Sequence, residues 1–354
     1  MPVRRPTVAP LAAIALLVAA VTVACAPATT PAPSSALSAA SPSASSSAAP
    51  TKLTVGLGYI QSVQFAAFYR ADQAGYYAAE GLEVTFQNDI DANLVPKVGA
   101  ANVDLGLSDG TSVIPAVSQG IPIRYLATIY AKFPSIVFAK ADSGIVKAAD
   151  LKGRKIGIPA KSGSSWIMLQ ALLASANLTV SDVTITEYPD FGQAAAVAKG
   201  AVDAATGFVN NEPVQLALTG TKVNVLRVDD ATPLPGPGII GSTATIAAKK
   251  AAVAGFVRAT FKAMNEIAAT PSIGVDAAIK ADTDLGKDRA TQEAILQATI
   301  DAWRPSGAAS DLPITGSVDT TSWDKSLAFM TSLKLVPNPV VVTDLVDTSF
   351  ASGS

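Results

Sequence analysis

The sequence contains no histidine and a single cysteine, and these two shortages exclude many kinds of chemistry. Without imidazole there is no Ser-His-Asp triad, no histidine-ligated zinc and no histidine general base. With Cys25 alone there is no disulfide framework within the chain and no cysteine metal cluster. Charged residues are also few, at 15 % of the chain, and the net charge of -2 argues against a nucleic-acid partner.

Apolar residues, by contrast, are abundant. Hydrophobic residues make up 49 % of the chain, which is enough for a large core, and a disordered chain is therefore excluded. At 354 residues the length predicts about two domains, because one domain takes about 150 residues. The composition therefore describes a folded protein with more than one lobe or domain.

The N-terminus is typical of a secretory signal that ends at a lipidation site. Arg4 and Arg5 form a short basic region, and an uncharged apolar run covers residues 11–23. This run of about 13 residues is too short to span a bilayer core, which needs roughly 20. A small residue precedes Cys25, as in a bacterial lipobox, although Thr22 departs from the leucine usual at its position. An ordinary signal with a chance cysteine is the alternative.

We therefore expect residues 1–24 to be removed and the thiol of Cys25 to carry a diacylglycerol. Residues 26–50 contain only Ala, Pro, Ser, Thr and one Leu, so residues 25–50 are expected to form the lipidated cysteine and a flexible tether. The several acyl chains of a lipoprotein give a durable anchor, which one chain does not. The predicted location is the extracytoplasmic face of the cell membrane, by lipid anchoring.

Strand and helix patterns alternate from residue 51 onward. Alternating apolar residues predict strands at 52–59 and 82–86 in a first unit, and at 155–158 and 183–188 in a second. Segments with helical spacing separate these strands in both units. Such alternation favours parallel sheets with helices on both faces, and the sequence therefore predicts an α/β fold.

Breaks in this pattern divide the chain into two expected lobes. A Pro/Gly-rich stretch at 232–241 closes the second unit, a β-like run follows at 243–248, and the remainder is mostly helical. We therefore expect the second lobe at 141–242. The first lobe is expected to be discontinuous and to combine 51–140 with 243–354.

The two lobes are expected to hold a ligand between them. Ligands of open α/β sheets bind outside the carboxyl ends of the strands, often at helix N-termini. In a two-lobe protein those ends face each other across a cleft, and hinges near 139–143 and 236–243 would let the cleft close on a small molecule. Two independent domains without a shared cleft are the alternative.

Three phrases in the chain resemble those of a known family. They are GYYAAEGLEV at 75–84, LKGRKIGIP at 151–159 and GAVDA at 200–204. In this order and behind a lipobox, they resemble ABC-importer substrate-binding proteins of the thiamine-precursor, sulfonate and taurine branch. The resemblance covers residues 52–248, and the chain after residue 248 is less distinctive.

The resemblance implies a type II periplasmic-binding-protein fold that closes on its ligand and delivers it to a membrane permease with its ATPase. It implies no catalysis by this subunit, and we expect a monomer without cofactor or metal. Some eukaryotic relatives of this branch are pyrimidine synthases that use a histidine and a cysteine-rich motif. This chain has neither, which argues against that enzymatic use.

Candidate ligand-binding residues of the first lobe follow its first and third strands. Tyr59 and Phe65 would stack on a ring, while Gln61 or Gln64 would hydrogen-bond its edge. Core packing is the alternative for the two rings. Asp109 follows a strand and precedes a helix, so it would either bind ligand hydroxyls or an amino group, or cap the helix.

Candidate residues of the second lobe stand at the corresponding strand-to-helix turns. Ser164 and Trp166 open a helix, and Trp166 is expected to stack on the ligand opposite Tyr59 or Phe65. Tyr188 ends another strand and is expected at the edge of the cleft. Further candidates are Asn210 and Glu212, which offer donors and acceptors for a polar ligand and for which turn chemistry is the alternative.

Glu212 completes this set and, with the residues above, favours a flat and largely uncharged ligand. The basic residues do not cluster into a clamp for phosphate or sulfonate, so a sulfonate or taurine is disfavoured. Aromatic positions beside amides, serines and a carboxylate suit a heterocycle. Riboflavin is favoured within the family's range, and a pyrimidine precursor of thiamine is the alternative. A remote alternative is an enzyme of pyrimidine synthesis in which Asp109 and Glu212 do acid-base work.

Overall fold

The computed structural model describes residues 49–230 and 233–351. The predicted signal at 1–24, the predicted lipidation site Cys25 and the tether up to residue 48 lie outside the described residues. In the described ranges, no helix is both long enough and apolar enough to cross a membrane.

The strands form two five-stranded sheets, one in each lobe. In chain order the strands are β1 (Thr51–Leu57), β2 (Leu82–Asn88), β3 (Leu105–Asp109), β4 (Ile123–Thr128), β5 (Ser135–Lys140), β6 (Lys155–Ile158), β7 (Thr184–Glu187), β8 (Ala204–Phe208), β9 (Val223–Leu226) and β10 (Pro237–Ser242). The first sheet has the order β2-β1-β3-β10-β4, and the second has the order β7-β6-β8-β5-β9. We call the parts built on these sheets the first and the second lobe.

Helices cover both sheets. In chain order they are α1 (Ala66–Gln73), α2 (Tyr76–Ala79), α3 (Asp91–Gly99), α4 (Gly110–Ser118), α5 (Gly163–Ser175), α6 (Gln193–Ala198), α7 (Glu212–Leu218), α8 (Thr243–Ala248), α9 (Lys250–Ala269), α10 (Pro271–Ala281), α11 (Arg289–Ala302), α12 (Thr320–Ser332) and α13 (Val342–Leu345). The α/β class and the two-lobe architecture predicted from the sequence are confirmed.

Each lobe buries apolar side chains on both faces of its sheet. In the first lobe, one core lies between the sheet and the helices α1, α9, α10 and α11, and includes Phe68, Phe256 and Trp303. A second core on the other face joins α3, α4 and α12 to the sheet. In the second lobe, α5 covers one face, while α6 and α7 cover the other. Burial of this apolar area is the main stabilising contribution in both lobes.

The two sheets are mixed and not purely parallel. β1 pairs in parallel with β2 and β3, and β6 pairs in parallel with β7 and β8. β10 runs antiparallel to β3 and β4, and β5 runs antiparallel to β8 and β9. The two antiparallel strands are the first strands that the chain forms after it passes from one lobe to the other, so the crossovers explain the departure from the parallel expectation.

The sheets also differ from the expected lobe boundaries at 140 and 242. β5 was expected at the end of the first lobe but pairs within the second sheet, and β10 was expected in the second lobe but pairs within the first. The chain therefore passes between the sheets after β4 and before β5, and again after β9 and before β10. These segments lie several residues ahead of the hinges expected near 139–143 and 236–243.

The β-like run expected at Thr243–Ala248 is a helix, α8, and the strand lies in the Pro/Gly-rich stretch before it. The Ser242 hydroxyl accepts a hydrogen bond of 3.0 Å from the Thr245 amide and caps this helix. All six residues of β10 are buried. Local preference against Pro and Gly in strands is thus overridden by pairing on both sides.

Candidate functional site

A cavity lies between the lobes, where strands of both sheets end. Loops that follow β1, β2 and β3 in the first lobe face loops that follow β6, β7 and β8 in the second. The empty space, counted out to the open mouth of the cavity, is about 880 Å³. Because both lobes contribute to its lining, the cavity is a candidate site for a small molecule.

Five of the predicted ligand-binding residues line this cavity. They are Tyr59, Phe65, Asp109, Ser164 and Glu212. The first three come from the first lobe and the other two from the second, so the cavity is built by both sheets. Their common feature is that each lies at or beyond the carboxyl end of a strand, which is where open α/β sheets place ligands.

Three other predicted residues lie outside the cavity lining. Gln61 is exposed, because it stands beyond the turn that carries Tyr59 inward. Tyr188 packs in the second-lobe core that contains Phe138, with its ring edge against Gly157. Asn210 is 1 % exposed and is held in a buried hydrogen-bond network.

Trp166 also lies outside the lining, which corrects the ring clamp expected from the sequence. Its side chain packs against the second-lobe core beneath α5, while Ser164 and Ser165 at the start of this helix do face the cavity. Trp166 stands two residues after Ser164, which is about 200° around an α-helix, so it points to the opposite side. A position in the first helical turn does not decide which side a residue takes.

The aromatic pair across the cleft is Tyr59 and Phe191. Their ring centroids are 4.5 Å apart and the rings meet edge to face, the arrangement that aromatic pairs prefer. Tyr59 belongs to the first lobe and Phe191 to the turn between β7 and α6 of the second. Phe191 was expected only to pack against the following helix, yet its side chain lines the cavity.

Asp91 is a carboxylate that the sequence reading missed. It is the first residue of α3 and accepts hydrogen bonds from the hydroxyls of Ser108 and Ser112. It also accepts a hydrogen bond of 3.2 Å from the backbone amide of Ser164, which stands in the first turn of α5. Burial raises the pKa of Asp91 despite these donors. Because the two helices belong to different lobes, this contact ties the lobes together.

Asp109 is buried close to Asp91, at 3 % exposure. Burial raises the pKa of Asp109 well above its ordinary value, and the charge of Asp91 raises it further. Two carboxyls in one poorly solvated place do not both ionise readily, which is why the neutral acid is favoured. Asp109 occupies the N-cap position of α4, but its side chain makes no capping hydrogen bond. The capping role left open by the sequence is therefore not the one it performs.

Glu212 is the third carboxyl of the cavity and begins α7. Its Oε2 accepts a hydrogen bond of 2.8 Å from the Phe208 amide. Burial raises the pKa of Glu212 to about 7, so this group changes charge near neutral pH. The carboxyl fits tightly here, because a methyl group on Gly207 would come within 2.6 Å of its oxygen.

The cavity lining has acidic side chains but no basic ones among the described residues. Among the described residues that line it there is no lysine and no arginine, and the chain has no histidine. The titratable groups that remain are the three carboxyls and two tyrosines, Tyr59 and Tyr130. An anionic ligand would find no countercharge here, whereas a neutral ligand with hydrogen-bond donors is well matched.

A buried polar network links the lobes beside the cavity. The Asn210 amide donates to Gln64 Oε1 at 3.0 Å and to Thr299 Oγ1 at 2.8 Å. Asn211 donates to the Tyr59 hydroxyl at 3.3 Å. The two asparagines follow β8 of the second lobe, while their partners belong to the first lobe. Asn210 thus contributes to contact between the lobes, although it was expected to touch the ligand.

Several cavity residues that were not predicted also lie just after the carboxyl ends of strands. Asp91, Tyr130 and Gln193 each follow a strand within a few residues, as do most of the predicted residues that line the cavity. Applying the strand-end rule to every strand would have included them. No sequence signal distinguishes Phe191 from Tyr188, because the direction of each side chain depends on the turn between them.

Comparison with known proteins identifies the family of this chain. A model described as NMT1/THI5 like matches residues 62–273, which is more than half of the chain. The chain belongs to the NMT1/THI5-like family. The three phrases that suggested this branch lie wholly or mostly in the matched range, so the resemblance read from the sequence is confirmed.

Relatives of this NMT1/THI5-like chain include both binding proteins and enzymes by name. The riboflavin-binding protein RibY of Chloroflexus aurantiacus is 34 % identical over 307 residues, which are 85 % of this chain and 86 % of that protein. The 4-amino-5-hydroxymethyl-2-methylpyrimidine phosphate synthase of Aspergillus parasiticus is 26 % identical over 236 residues, which are 62 % of this chain and 68 % of that protein.

Solved structures show the same fold. The alkanesulfonate-binding protein SsuA of Xanthomonas axonopodis pv. citri, bound to MOPS, superposes with a TM-score of 0.67 at 19 % identity. The match covers 85 % of this chain and all of that one. The predicted type II periplasmic-binding-protein fold, with its cleft between two lobes, is thereby confirmed.

Proposed function

We propose that this protein is the substrate-binding lipoprotein of an ABC importer and that it captures riboflavin. The observation that carries the proposal is the cavity between the lobes, where the rings of Tyr59 and Phe191 meet across the cleft in a lining without basic side chains. Such a site suits a planar, uncharged ring system. The similarity to a riboflavin-binding protein over 85 % of the chain supports the same ligand class.

The charge of the cavity argues against a sulfonate as the ligand. Buried anions require a countercharge or a dense set of donors. The described lining offers neither a lysine nor an arginine, and it brings three carboxyls to the same space. The likeness to a sulfonate-binding protein, at 19 % identity, therefore extends to the fold and not to the ligand in this proposal.

A pyrimidine precursor of thiamine is the second candidate ligand. It is favoured by the similarity to proteins named for thiamine biosynthesis, one of which is 31 % identical over about half of this chain. The riboflavin-binding relative matches 85 % of this chain at 34 % identity, whereas this match covers only 48 % of the chain. We therefore rank riboflavin first.

Reversible capture, and not catalysis, is the proposed activity of the cavity. Two of its three carboxyls, Asp91 and Glu212, are held by hydroxyl and amide donors, and the chain contains no imidazole to shuttle protons. Turnover assays on riboflavin and on thiamine pyrimidines would contradict this proposal if they showed product formation above that of protein with a mutated cavity.

Titration calorimetry of the purified protein with riboflavin tests the ligand. One-to-one binding with quenching of flavin fluorescence is the expected result, and mass spectrometry of material that co-purifies should show a flavin. Binding of a thiamine pyrimidine with no response to riboflavin would replace the ligand and keep the importer. Absence of binding to both would remove the ligand assignment altogether.

Membrane attachment is proposed to depend on Cys25. Its position after an apolar run and before a long segment rich in Ala, Pro, Ser and Thr suits acylation, which would hold the lobes near a permease and its ATPase. The expected effect of Cys25→Ser is release of the protein from the membrane fraction and loss of labelling by palmitate. Continued labelling of that variant would contradict the assignment.

A further inference from the structure

Two buried hydrogen-bond acceptors in the cavity wall have no partner among the described residues. They are Oδ1 of Asp109 in the first lobe and Oε1 of Gln193 in the second. The two residues are only 3 % and 2 % exposed. Proteins pair nearly all buried polar atoms, so each of these oxygens needs an explanation. Since both line the same cavity from opposite lobes, a bound molecule with donor groups accounts for both.

We propose that Gln193 reads the imide edge of the flavin ring and that Asp109 accepts hydrogen bonds from hydroxyls of the ribityl chain. This assignment rests on the function proposed above and goes beyond it, because it says which protein groups select the ligand. It makes both residues determinants of specificity and gives each lobe one polar contact.

The chemistry of an amide suits Gln193 to the ring edge. A primary amide carries a donor and an acceptor side by side, and an imide offers an N–H beside a carbonyl, so the two groups pair through two hydrogen bonds. Gln193 begins α6, two residues after Phe191. A ring held against Phe191 and Tyr59 therefore presents its edge close to the start of this helix.

The surroundings of Asp109 suit it to hydroxyl groups. The side chain ends β3 at the start of α4 without capping that helix, so one of its oxygens is free for a ligand. Burial and the neighbouring Asp91 raise the pKa of Asp109. A neutral carboxyl both donates and accepts hydrogen bonds, as hydroxyls do.

Calorimetry with three flavins tests the assignment. The ligands are riboflavin, riboflavin methylated on its imide nitrogen, and lumiflavin, in which a methyl group replaces the ribityl chain. Gln193→Ala should bind riboflavin about 10- to 100-fold more weakly but bind the methylated flavin as the unmodified protein does. Asp109→Ala should lose a similar factor for riboflavin and none for lumiflavin.

Two further variants protect the test against trivial outcomes. Gln193→Met keeps the volume of the side chain and should repeat the loss of Gln193→Ala. Gln170→Ala removes a glutamine of α5 whose amide donates to the Trp166 carbonyl, outside the cavity lining, and should change no affinity. Thermal unfolding of each variant verifies that it is folded.

The outcomes separate this inference from the proposed function. If the unmodified protein binds no riboflavin, both fail together. If it binds riboflavin while Gln193→Ala still discriminates against imide methylation as strongly as before, only the assignment of Gln193 is overturned. An exchange of the two patterns, with Gln193 sensitive to the tail and Asp109 to the imide, overturns the assignment as well.

Discussion

Phe191 combines a strained backbone with a ring in the cleft. Its φ is 59°, in the left-handed region that costs a residue with a side chain roughly 1–2 kcal/mol. Such strain persists where the surroundings hold it and is often found at ligand sites. Here the turn after β7 brings the ring to within 4.5 Å of the Tyr59 ring, measured between centroids. At the scale of residues, this pair is therefore the aromatic contact that the two lobes make at the cavity.

Replacing either ring should weaken riboflavin binding. We expect Phe191→Ala and Tyr59→Ala to lower the affinity by about 10-fold each, because an aromatic contact and its buried area are lost. Trp166→Phe and Tyr188→Phe serve as controls, since both side chains lie outside the cavity lining. Calorimetry compares the riboflavin affinities of the two cavity variants with those of the two controls. A loss with Trp166→Phe equal to that with Phe191→Ala would restore the clamp expected from the sequence.

Glu212 should make the free protein less stable as the pH rises. Below its ordinary pKa of 4.5 the group is protonated in both native and unfolded chains. Between 4.5 and about 7 the unfolded glutamate ionises while the native one stays protonated, so the native state loses stability. The total loss is about 3 kcal/mol and is complete above the native pKa.

Urea unfolding of the unmodified protein and of Glu212→Gln, between roughly pH 5 and pH 8, measures this contribution. The variant should show a smaller decline in the free energy of unfolding over that interval. Asp91 and Asp109, whose pKa values are also raised, contribute to the decline in both proteins. Equal slopes for the two proteins would contradict the assignment to Glu212.

Single residues show how far the sequence predicts the site. Tyr59 and Asp109 were found because the position of a residue after a strand can be read from the pattern of apolar residues. Trp166 was misassigned because its direction depends on the rotation of α5 against the core of the second lobe. The chain position of a side chain was thus predictable, while its direction depended on packing between distant segments.

At the scale of elements, β10 is the one whose position the sequence concealed. Its six residues, PGIIGS, contain proline and glycines that disfavour strands, yet the strand is central and buried. The reason lies in its neighbour β4, where Tyr125 lies against the β10 backbone and donates to the Gly236 carbonyl at 3.1 Å. Only a glycine at position 238 leaves room for the Tyr125 ring. No local sequence pattern reveals this contact between two strands.

Gly238→Ala should therefore destabilise the protein. A methyl group at this position would lie 2.1 Å from the Tyr125 ring, and the ring is fixed by its edge-on contact with Trp323. We expect a loss of about 1–3 kcal/mol in the free energy of unfolding, as is usual for overpacking. Gly286→Ala is the control, since its methyl group would meet only the Ile279 side chain, at 3.2 Å instead of 2.1 Å. Equal stability of the two variants would show that the sheet accommodates the methyl group.

At the scale of the whole molecule, four hydrogen bonds between described residues join the lobes at the cavity. Asp91 accepts from the Ser164 amide, Asn211 donates to Tyr59, and Asn210 donates to two partners in the first lobe. The two-lobe α/β architecture was predictable because strands and helices alternate in both units. These contacts were not, because each joins segments from different lobes that local patterns do not relate.

Asn210→Ala should loosen the closed arrangement of the lobes. It leaves the acceptors of Gln64 and Thr299 without their shared donor in a buried place, which costs about 1–3 kcal/mol. Since this cost falls on the closed state, the variant has a smaller fraction of closed molecules. The apparent affinity for the ligand falls in proportion to that fraction. We expect a larger radius of gyration in X-ray scattering of the free protein and faster release of bound riboflavin.

Asn224→Ala separates this effect from a general loss of stability. The Asn224 amide donates to the carbonyls of Ala141 and Ile145 within the second lobe, so its removal should lower the unfolding temperature without opening the cleft. If both variants lost stability but neither changed the scattering or the release rate, Asn210 would be a structural residue alone. A change confined to Asn210→Ala would mean that closure of the lobes is stabilised by a residue that need not touch the ligand.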